Sequence, residues 1–313
     1  MSVARSAELD SAYAACRSIA KREAKNFYYA FRVLPKHKSD AMCAIYAFMR
    51  RADDLSDDES ISLDERRRAM AAWIEAWRLS RTTASDDAIF VAVNDVQARF
   101  GISDTLLEQL VQGTCLDLEP EPEGVLSAEL NGQKMQVYES FAALHHYCYL
   151  VASVVGLVCI KIFGYSDQRA EELAIDTGVA FQLTNILRDV KEDCDRGRVY
   201  LPADLLRENS VSVERIVSLA GGATMQSNEL ALLNGLEATA QRYYKSAAQL
   251  VPLLDAESRP AMWVLIAIYH RLLCRIALDP SSIFAKRVSV PSAQKLAILG
   301  VGMMRAAKVR MVG

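Results

Sequence analysis

The chain of 313 residues is 51% hydrophobic and 24% charged, with 36 basic and 39 acidic residues and a formal net charge of −3. Its 14 glycines and 8 prolines are too few for a collagen-like or disordered chain, and the near-balanced charge gives no field that would gather nucleic acid. An all-α globular protein is left, read as one large domain over 1–313, because helix formers dominate and no linker long enough to divide the chain is present.

Apolar periodicity predicts helices over 8–31, 38–54, 63–80, 86–100, 103–116, 139–163, 167–195, 224–251, 258–278 and 291–309, and no stretch reads as a β-sheet. Leu34-Pro35 ends the first helix and Gly101 divides two others, while Leu201-Pro202, Gly221-Gly222 and Pro280 mark later breaks. The polar, acidic stretch opened by Pro120, Pro122 and Gly124 reads as a surface insertion loop over 119–136. Seven cysteines, odd in number and without a C-x-x-C pair, make neither a disulfide framework nor a zinc set, so reduced, buried thiols are expected. Residues 1–10 lack the apolar run of a signal peptide, and the longest uncharged apolar run, 147–160, is too short to cross a bilayer. Both observations point to a cytoplasmic protein.

Two helices carry an unusual polar stripe. On the first, Tyr46, Arg50, Asp53 and Asp57 follow one another at spacings of 4, 3 and 4, which puts them on one face after an almost wholly apolar stretch. On the second, Gln182, Asn185, Asp189 and Asp193 follow at 3, 4 and 4, again after apolar turns. Carboxylates at i and i+4 repel by a few tenths of a kcal/mol, and a buried carboxylate without a partner costs far more. Hard divalent cations resolve both penalties. Mg²⁺ in particular is held by one or two carboxylates with substrate phosphates completing its shell. Arg50, Arg188, Lys191, Arg196 and Arg198 stand near enough in sequence to clamp phosphate oxygens. The pattern describes a magnesium–diphosphate site at the mouth of an apolar helical pocket. A lone D-x-x-x-D would read as a solvated face, and a di-iron bundle would need a Glu-x-x-His motif that the chain lacks.

At these residues the chain resembles the squalene/phytoene synthases, the head-to-head branch of the trans-prenyl diphosphate synthases. The resemblance is carried by Asn26-Phe-Tyr-Tyr-Ala-Phe31 with Leu34-Pro35, by Ala44-Ile-Tyr46-Ala-Phe48, by Arg50-Arg-Ala-Asp53-Asp54-Leu-Ser-Asp57, by the apolar segment from Tyr147 to Gly156, and by the run from Gln182 through Asp193 to Pro202. These segments occur in the family's order over about 10–290. The resemblance implies an isoprenoid-synthase fold around a central apolar cavity. It implies that Asp53, Asp57, Asp189 and Asp193 bind Mg²⁺, with Asp54 and Glu192 as helpers. Arg50, Gln182, Asn185 and Tyr200 would line the diphosphate region. Phe27, Tyr46 and Tyr147 would face the reacting carbons. The substrates implied are prenyl diphosphates, joined in a 1′-1 condensation, with NADPH needed only if the reaction runs on to squalene. A monomer or weak dimer without nucleic-acid partners is expected.

Some features bear on the member of the family. Phe31, one turn beyond Phe27 on the same face, would shorten the pocket in favour of C15 farnesyl chains, whereas the smaller Cys43 argues for C20 geranylgeranyl chains. The wording of the motifs resembles the bacterial farnesyl-using members that make presqualene diphosphate for hopanoids; phytoene synthase and dehydrosqualene synthase are the alternatives. A degenerate homologue serving as a helical assembly factor would have lost metal ligands, and all four Asp are present. Ser153 replaces a glycine usual in the family, Asn26 stands where Ser is more common, and 119–136 is longer than usual. Of the remaining conspicuous residues, Trp73, Trp77 and Trp263 are expected in the core, His145 and His146 at a helix end or surface, and Tyr269 at the far end of the pocket. Arg287 could reach a diphosphate or be a solvated charge. The C-terminal helix mixes Leu296, Leu299, Met303 and Met304 with Lys295, Arg305, Lys308 and Arg310, which suits ordinary packing or contact with an anionic membrane.

Overall fold

A computed structural model describes residues 7–119, 122–130 and 132–312. Pro120, the side chain of Asn26 and that of Arg310 lie outside the described residues. Fifteen helices are described. The N-terminal half contains α1 (Ala7–Glu23), α2 (Lys25–Phe31), α3 (Lys36–Ser56), α4 (Leu63–Leu79), α5 (Ala88–Phe100) and α6 (Asp104–Cys115). After a short sheet come α7 (Phe141–Cys148), α8 (Val154–Phe163) and the long α9 (Arg169–Asp195). The remainder comprises α10 (Ala203–Glu208), α11 (Val213–Ala220), α12 (Ser227–Leu250), α13 (Arg259–Leu278), α14 (Ser282–Ala285) and α15 (Ser292–Val312). Local chemistry sets several starts. Ser62 and Glu65 form a reciprocal capping box ahead of α4, and the side chains of Asp87, Ser103, Ser140 and Ser212 cap α5, α6, α7 and α11.

The expected helix 8–31 is broken at Ala24, and α10, α11 and α14 arise in stretches for which no helix was expected. The expected loop 119–136 is instead mostly a hairpin. Strands β1 (Val125–Leu130) and β2 (Gln133–Tyr138) pair antiparallel, and β2 pairs in parallel with β3 (Arg198–Val199) just after α9. The signal was present: Met135 and Val137 alternate with Lys134 and Gln136 and are the buried side chains of β2, and Asn131-Gly132 is a typical two-residue hairpin turn sequence. Gly197 brings the sheet against the end of α9. Its φ is +76°, and a Cβ there would fall 2.5 Å from the Lys134 carbonyl oxygen.

Between α7 and α8 the chain makes a π turn over Tyr149–Ser153, within one continuous helical segment. Two glycines let neighbouring helices close on it. A Cβ on Gly113 of α6 would lie 2.6 Å from the Leu150 carbonyl oxygen, and one on Gly178 of α9 would lie 2.5 Å from the Ser153 Cα. Ser153 itself is fully buried, and its hydroxyl donates to the Ile175 carbonyl at 2.7 Å. The serine therefore keeps the close helix approach that the family's glycine would give.

The buried side chains form two clusters, one around α1, α3, α5 and α8, the other around α9, α11, α12 and α13. Phe27, Phe181 and Ile266 pack against both, and the main cavity opens along this seam. Two helical stretches, Phe141–Phe163 and α13, are long and apolar enough to cross a membrane by length and composition, which corrects the expectation drawn from the 147–160 run. Each is apolar on more than one side because it packs into the core and also lines the cavity. All seven cysteines are free, and burial pushes the thiols of Cys16, Cys43, Cys159 and Cys194 up to about 12. They are inert at neutral pH.

Candidate active site

A cavity of about 370 Å³ lies between α2, α3, α8, α9 and α13. Its apolar wall includes Phe27 and Phe31 of α2, Met42 and Ile45 of α3, Val155 and Cys159 of α8, and Leu265 of α13. Its polar end gathers Tyr46, Arg50 and Asp53 from α3 with Gln182, Asn185 and Arg188 from α9. The first turns of the two stripes thus meet at one end of one apolar cavity, while Asp57, Asp189 and Asp193 do not line it. Burial pushes the Tyr46 hydroxyl up to about 12, so it stays protonated and can only donate or accept hydrogen bonds at neutral pH.

The charged groups at this end are tied to one another. Arg50 pairs with Asp54 at 2.6 Å, one turn on. Arg188 Nε donates to Asp189 Oδ1 at 2.7 Å, and its other nitrogen pairs with Asp189 Oδ2. Arg287, on the segment after α14, reaches Asp189 Oδ1 at 3.0 Å and Glu192 at 3.5 Å, and also lines the cavity. Arg287 thus stands at the site while its side chain stays exposed to solvent. Asp193 is pushed up to about 7, first by burial and then by the charge of Asp189, with Arg198 and Arg196 pulling the other way. Asn185 donates to Gln182 at 3.2 Å, yet its own Oδ1 is buried without a hydrogen-bond partner.

The four aspartates do not form a closed cage. Among the described residues no group of three or more His, Cys, Asp or Glu is placed to hold a metal ion. Asp57 is exposed at the end of α3, and Asp189 is drawn to two arginines. The donor set still fits magnesium. It consists of oxygens alone, includes the orphaned Asn185 Oδ1, and contains in Asp193 a half-buried carboxyl that a nearby cation would return to its charged form. Magnesium needs only one or two carboxylates per ion, with phosphates and waters for the rest.

Two expected aromatic residues also lie elsewhere. Tyr147 and Tyr200 are outside the main cavity, in a smaller neighbouring pocket with Gln136, Tyr138 and Arg198. Their rings stack at 5.1 Å with the hydroxyls 3.4 Å apart, and Tyr138 of β2 packs on both. The π turn stands between Tyr147 and α8, whose residues line the main cavity. Asp193, Arg198 and Tyr200 line a third small pocket, so this tyrosine cluster adjoins the acidic end of α9. Tyr269 is also relocated. It stacks on Phe181 at 4.4 Å and packs on Phe27 at 5.6 Å, with Arg188, Asp189 and Asn185 acting on its hydroxyl, which places it towards the polar end and not the far end. Trp77 is fully buried and Trp73 packs on Phe48, whereas Trp263 lies beneath the guanidinium of Arg305. Glu23 and Phe181 line the cavity and were not singled out from sequence, because neither falls in a spaced motif.

A family model described as squalene/phytoene synthase matches residues 20–294. The chain belongs to the squalene/phytoene synthase family. It is therefore a prenyltransferase with the isoprenoid-synthase fold. It is 31% identical over 318 residues to the 15-cis-phytoene synthase of Synechococcus elongatus, covering 96% of this chain and 95% of the relative. It is 30% identical to the phytoene synthase of Mycobacterium tuberculosis, covering 92% and 89%. Among solved structures, a dehydrosqualene synthase in complex with a ligand superposes with a TM-score of 0.78 at 27% identity, covering 96% of this chain and 98% of that one. The squalene synthase HpnC from Alicyclobacillus acidocaldarius shares the fold at a TM-score of 0.76 and 20% identity, covering 88% and 96%.

Proposed function

We propose that the protein joins two farnesyl diphosphates head to head, 1′ to 1, to give presqualene diphosphate. The observation that carries the choice of chain length is Phe31. It is 2% exposed, packs edge-on against Tyr46 at 6.4 Å and stands on the cavity wall, whereas the smaller Cys43 is buried away from that wall. The residue that would shorten the pocket is thus at the pocket, and the one that would lengthen it is not.

In this reading Asp53, Asp57, Asp189 and Asp193 hold Mg²⁺ together with the substrate diphosphates, and Asn185 adds its unpartnered oxygen. Magnesium, when bound, neutralises the leaving diphosphate as the allylic C1–O bond breaks. Arg50, Arg188 and Arg287 exchange their carboxylate partners for phosphate oxygens and so hold the departing group. The C–O electron pair leaves with the diphosphate. Phe27, Tyr46, Phe181 and Tyr269 present ring faces and hydroxyls to the allylic cation, and the apolar wall keeps water from capturing it. The 2,3 double bond of the second substrate attacks, and loss of a proton closes the cyclopropane. The released diphosphate is a sufficient base.

The second reading is phytoene synthase acting on two geranylgeranyl diphosphates, favoured by the names of the two curated relatives above. Incubating the purified protein with Mg²⁺ and either farnesyl or geranylgeranyl diphosphate, with and without NADPH, separates the readings by product mass. Presqualene diphosphate from the C15 substrate is expected. Phytoene from the C20 substrate, with no product from farnesyl diphosphate, would overturn the proposal.

A further inference from the structure

We propose that Lys38 is a positioning residue that fixes the floor of the cavity and so limits the length of the prenyl tail that fits above it. Lys38 stands in the first turn of α3 and is 5% exposed. Its side-chain nitrogen reaches four oxygens. It donates to the Phe163 carbonyl at 2.8 Å, to Asp255 Oδ2 at 3.0 Å and to Ser258 Oγ at 3.1 Å, and Glu257 Oε1 lies 2.8 Å away. Phe163 is the last residue of α8, and Ser258 directly precedes α13. Three helix ends that are distant in sequence therefore meet on one buried cation. Ser258 is fully buried, and its hydroxyl also donates to the Phe163 carbonyl, at 2.7 Å. The Asp255 N–H donates to the Gly164 carbonyl at 2.9 Å, which holds the same two segments together. The Phe163 carbonyl is one that a helix end leaves without an internal partner, and a cation is the favourable charge there.

Helical spacing gives the place of this cluster. Met42 comes four residues after Lys38, Met262 four after Ser258, and Cys159 four before Phe163, so each stands one turn along the same face. Met42, Cys159 and Met262 line the cavity, while Lys38, Phe163 and Ser258 do not. All three lining residues lie at the end away from the diphosphate groups. On α3 the lining runs from Met42 to Asp53, about 16 Å along the axis. On α13 it runs from Met262 to Tyr269, whose hydroxyl feels Arg188 and Asp189. On α8, Gly156 faces the Ala174 carbonyl of α9, three turns before Asn185, and Cys159 lies about one turn further off. A tail that enters from the polar end thus stops at Met42, Cys159 and Met262, and the Lys38 cluster holds their three helices from behind. Methionine side chains adapt readily, so the spacing of the helix ends decides how far the floor can recede. A tail one isoprene unit longer has to part those ends against four polar contacts made in a buried setting. Lys38 touches no ligand, unlike Phe31, whose own bulk narrows the wall. The inference rests on reading the cavity as the seat of the prenyl tail.

The test measures binding of unreactive prenyl thiodiphosphates with C10, C15, C20 and C25 tails to the full chain, by calorimetry in the presence of Mg²⁺. Lys38→Met keeps the reach of the side chain and removes the cation. The ratio of C20 to C15 affinity should rise about fivefold in this variant, while C10 affinity stays unchanged because that tail ends above the floor. Ser258→Ala removes one hydroxyl, leaves the ion pairs, and should move the ratio the same way by about twofold; it gives the answer if Lys38→Met does not fold. Glu229→Gln breaks a buried ion pair with Arg215, 2.5 Å long, at the opposite end of α12 from the cavity residue Leu250. It should lower the melting temperature and leave the ratio as in the parent. Analogue binding needs no turnover, so a failure of the proposed reaction is a separate result. If the parent accepts the C20 tail as well as C15, the farnesyl reading fails and the same rise is expected for C25 over C20. An unchanged ratio at that step, an equal loss of affinity for every tail length, or an equal shift in Glu229→Gln would each overturn the proposal.

Discussion

Asp193→Asn offers an unusual prediction: loss of activity together with a gain in stability. Burial and the neighbouring Asp189 push the Asp193 carboxyl from 3.8 up to about 7 in the metal-free chain. Its folded value lies above its unfolded value, so the folded chain binds the proton more tightly. The group is therefore least costly to folding at low pH, and stability falls as pH rises through the window from about 4 to about 7. A shift of about three units corresponds to a ceiling of roughly 4 kcal/mol. Partial exposure and solvent screening reduce this to about 2 kcal/mol. The amide removes the titration. In a chelator at pH 8 the variant should melt about 3 °C above the parent, and the gap should narrow as pH is lowered towards 4. Adding Mg²⁺ with inorganic diphosphate should reverse the order, raising the parent's melting temperature more than the variant's. Scanning fluorimetry across pH, with and without the ions, makes the comparison. A variant that melts below the parent at pH 8 in chelator would refute the reasoning.

Two other substitutions probe the wall and the frame. Phe31→Ala removes a bulky ring from the cavity wall, and the ratio of kcat/KM for C20 over C15 substrate should rise by at least about tenfold; an unchanged ratio would free Phe31 of any role in chain length. Gly178→Ala forces a Cβ to 2.5 Å from the Ser153 backbone, and the overpacking should cost about 1–3 kcal/mol in denaturant unfolding; an unchanged midpoint would mean that the π turn yields freely.

The polar stripes were legible because helical spacing alone aligns Tyr46 with Asp53 and Gln182 with Asp189, and both helices are long enough to keep that alignment. Arg287 and Tyr269 were visible as residues but not as partners, since the first lies in a short segment after α14 and its approach to Asp189 is set by the packing of α14 against α9. Tyr147 was assigned through the family resemblance and not through spacing, and its ring neighbours Tyr138 and Tyr200 come from other elements, which no local pattern shows. The hairpin was missed because Pro and Gly around it read as loop, although the alternation over β2 and the Asn-Gly pair described it correctly. The convergence of the two stripes on one cavity is tertiary and has no local signature in either helix.

That convergence is the central claim, and it is tested most directly by a crystal structure with a non-ionisable farnesyl thiodiphosphate and Mn²⁺ in place of Mg²⁺, read by anomalous scattering. Manganese peaks bridging the diphosphate to oxygens of both Asp53/Asp57 and Asp189/Asp193, with the prenyl chain running towards Phe31, are predicted. A diphosphate bound without metal, or lodged in the Tyr147–Tyr200 pocket with the aspartates unligated, would contradict it.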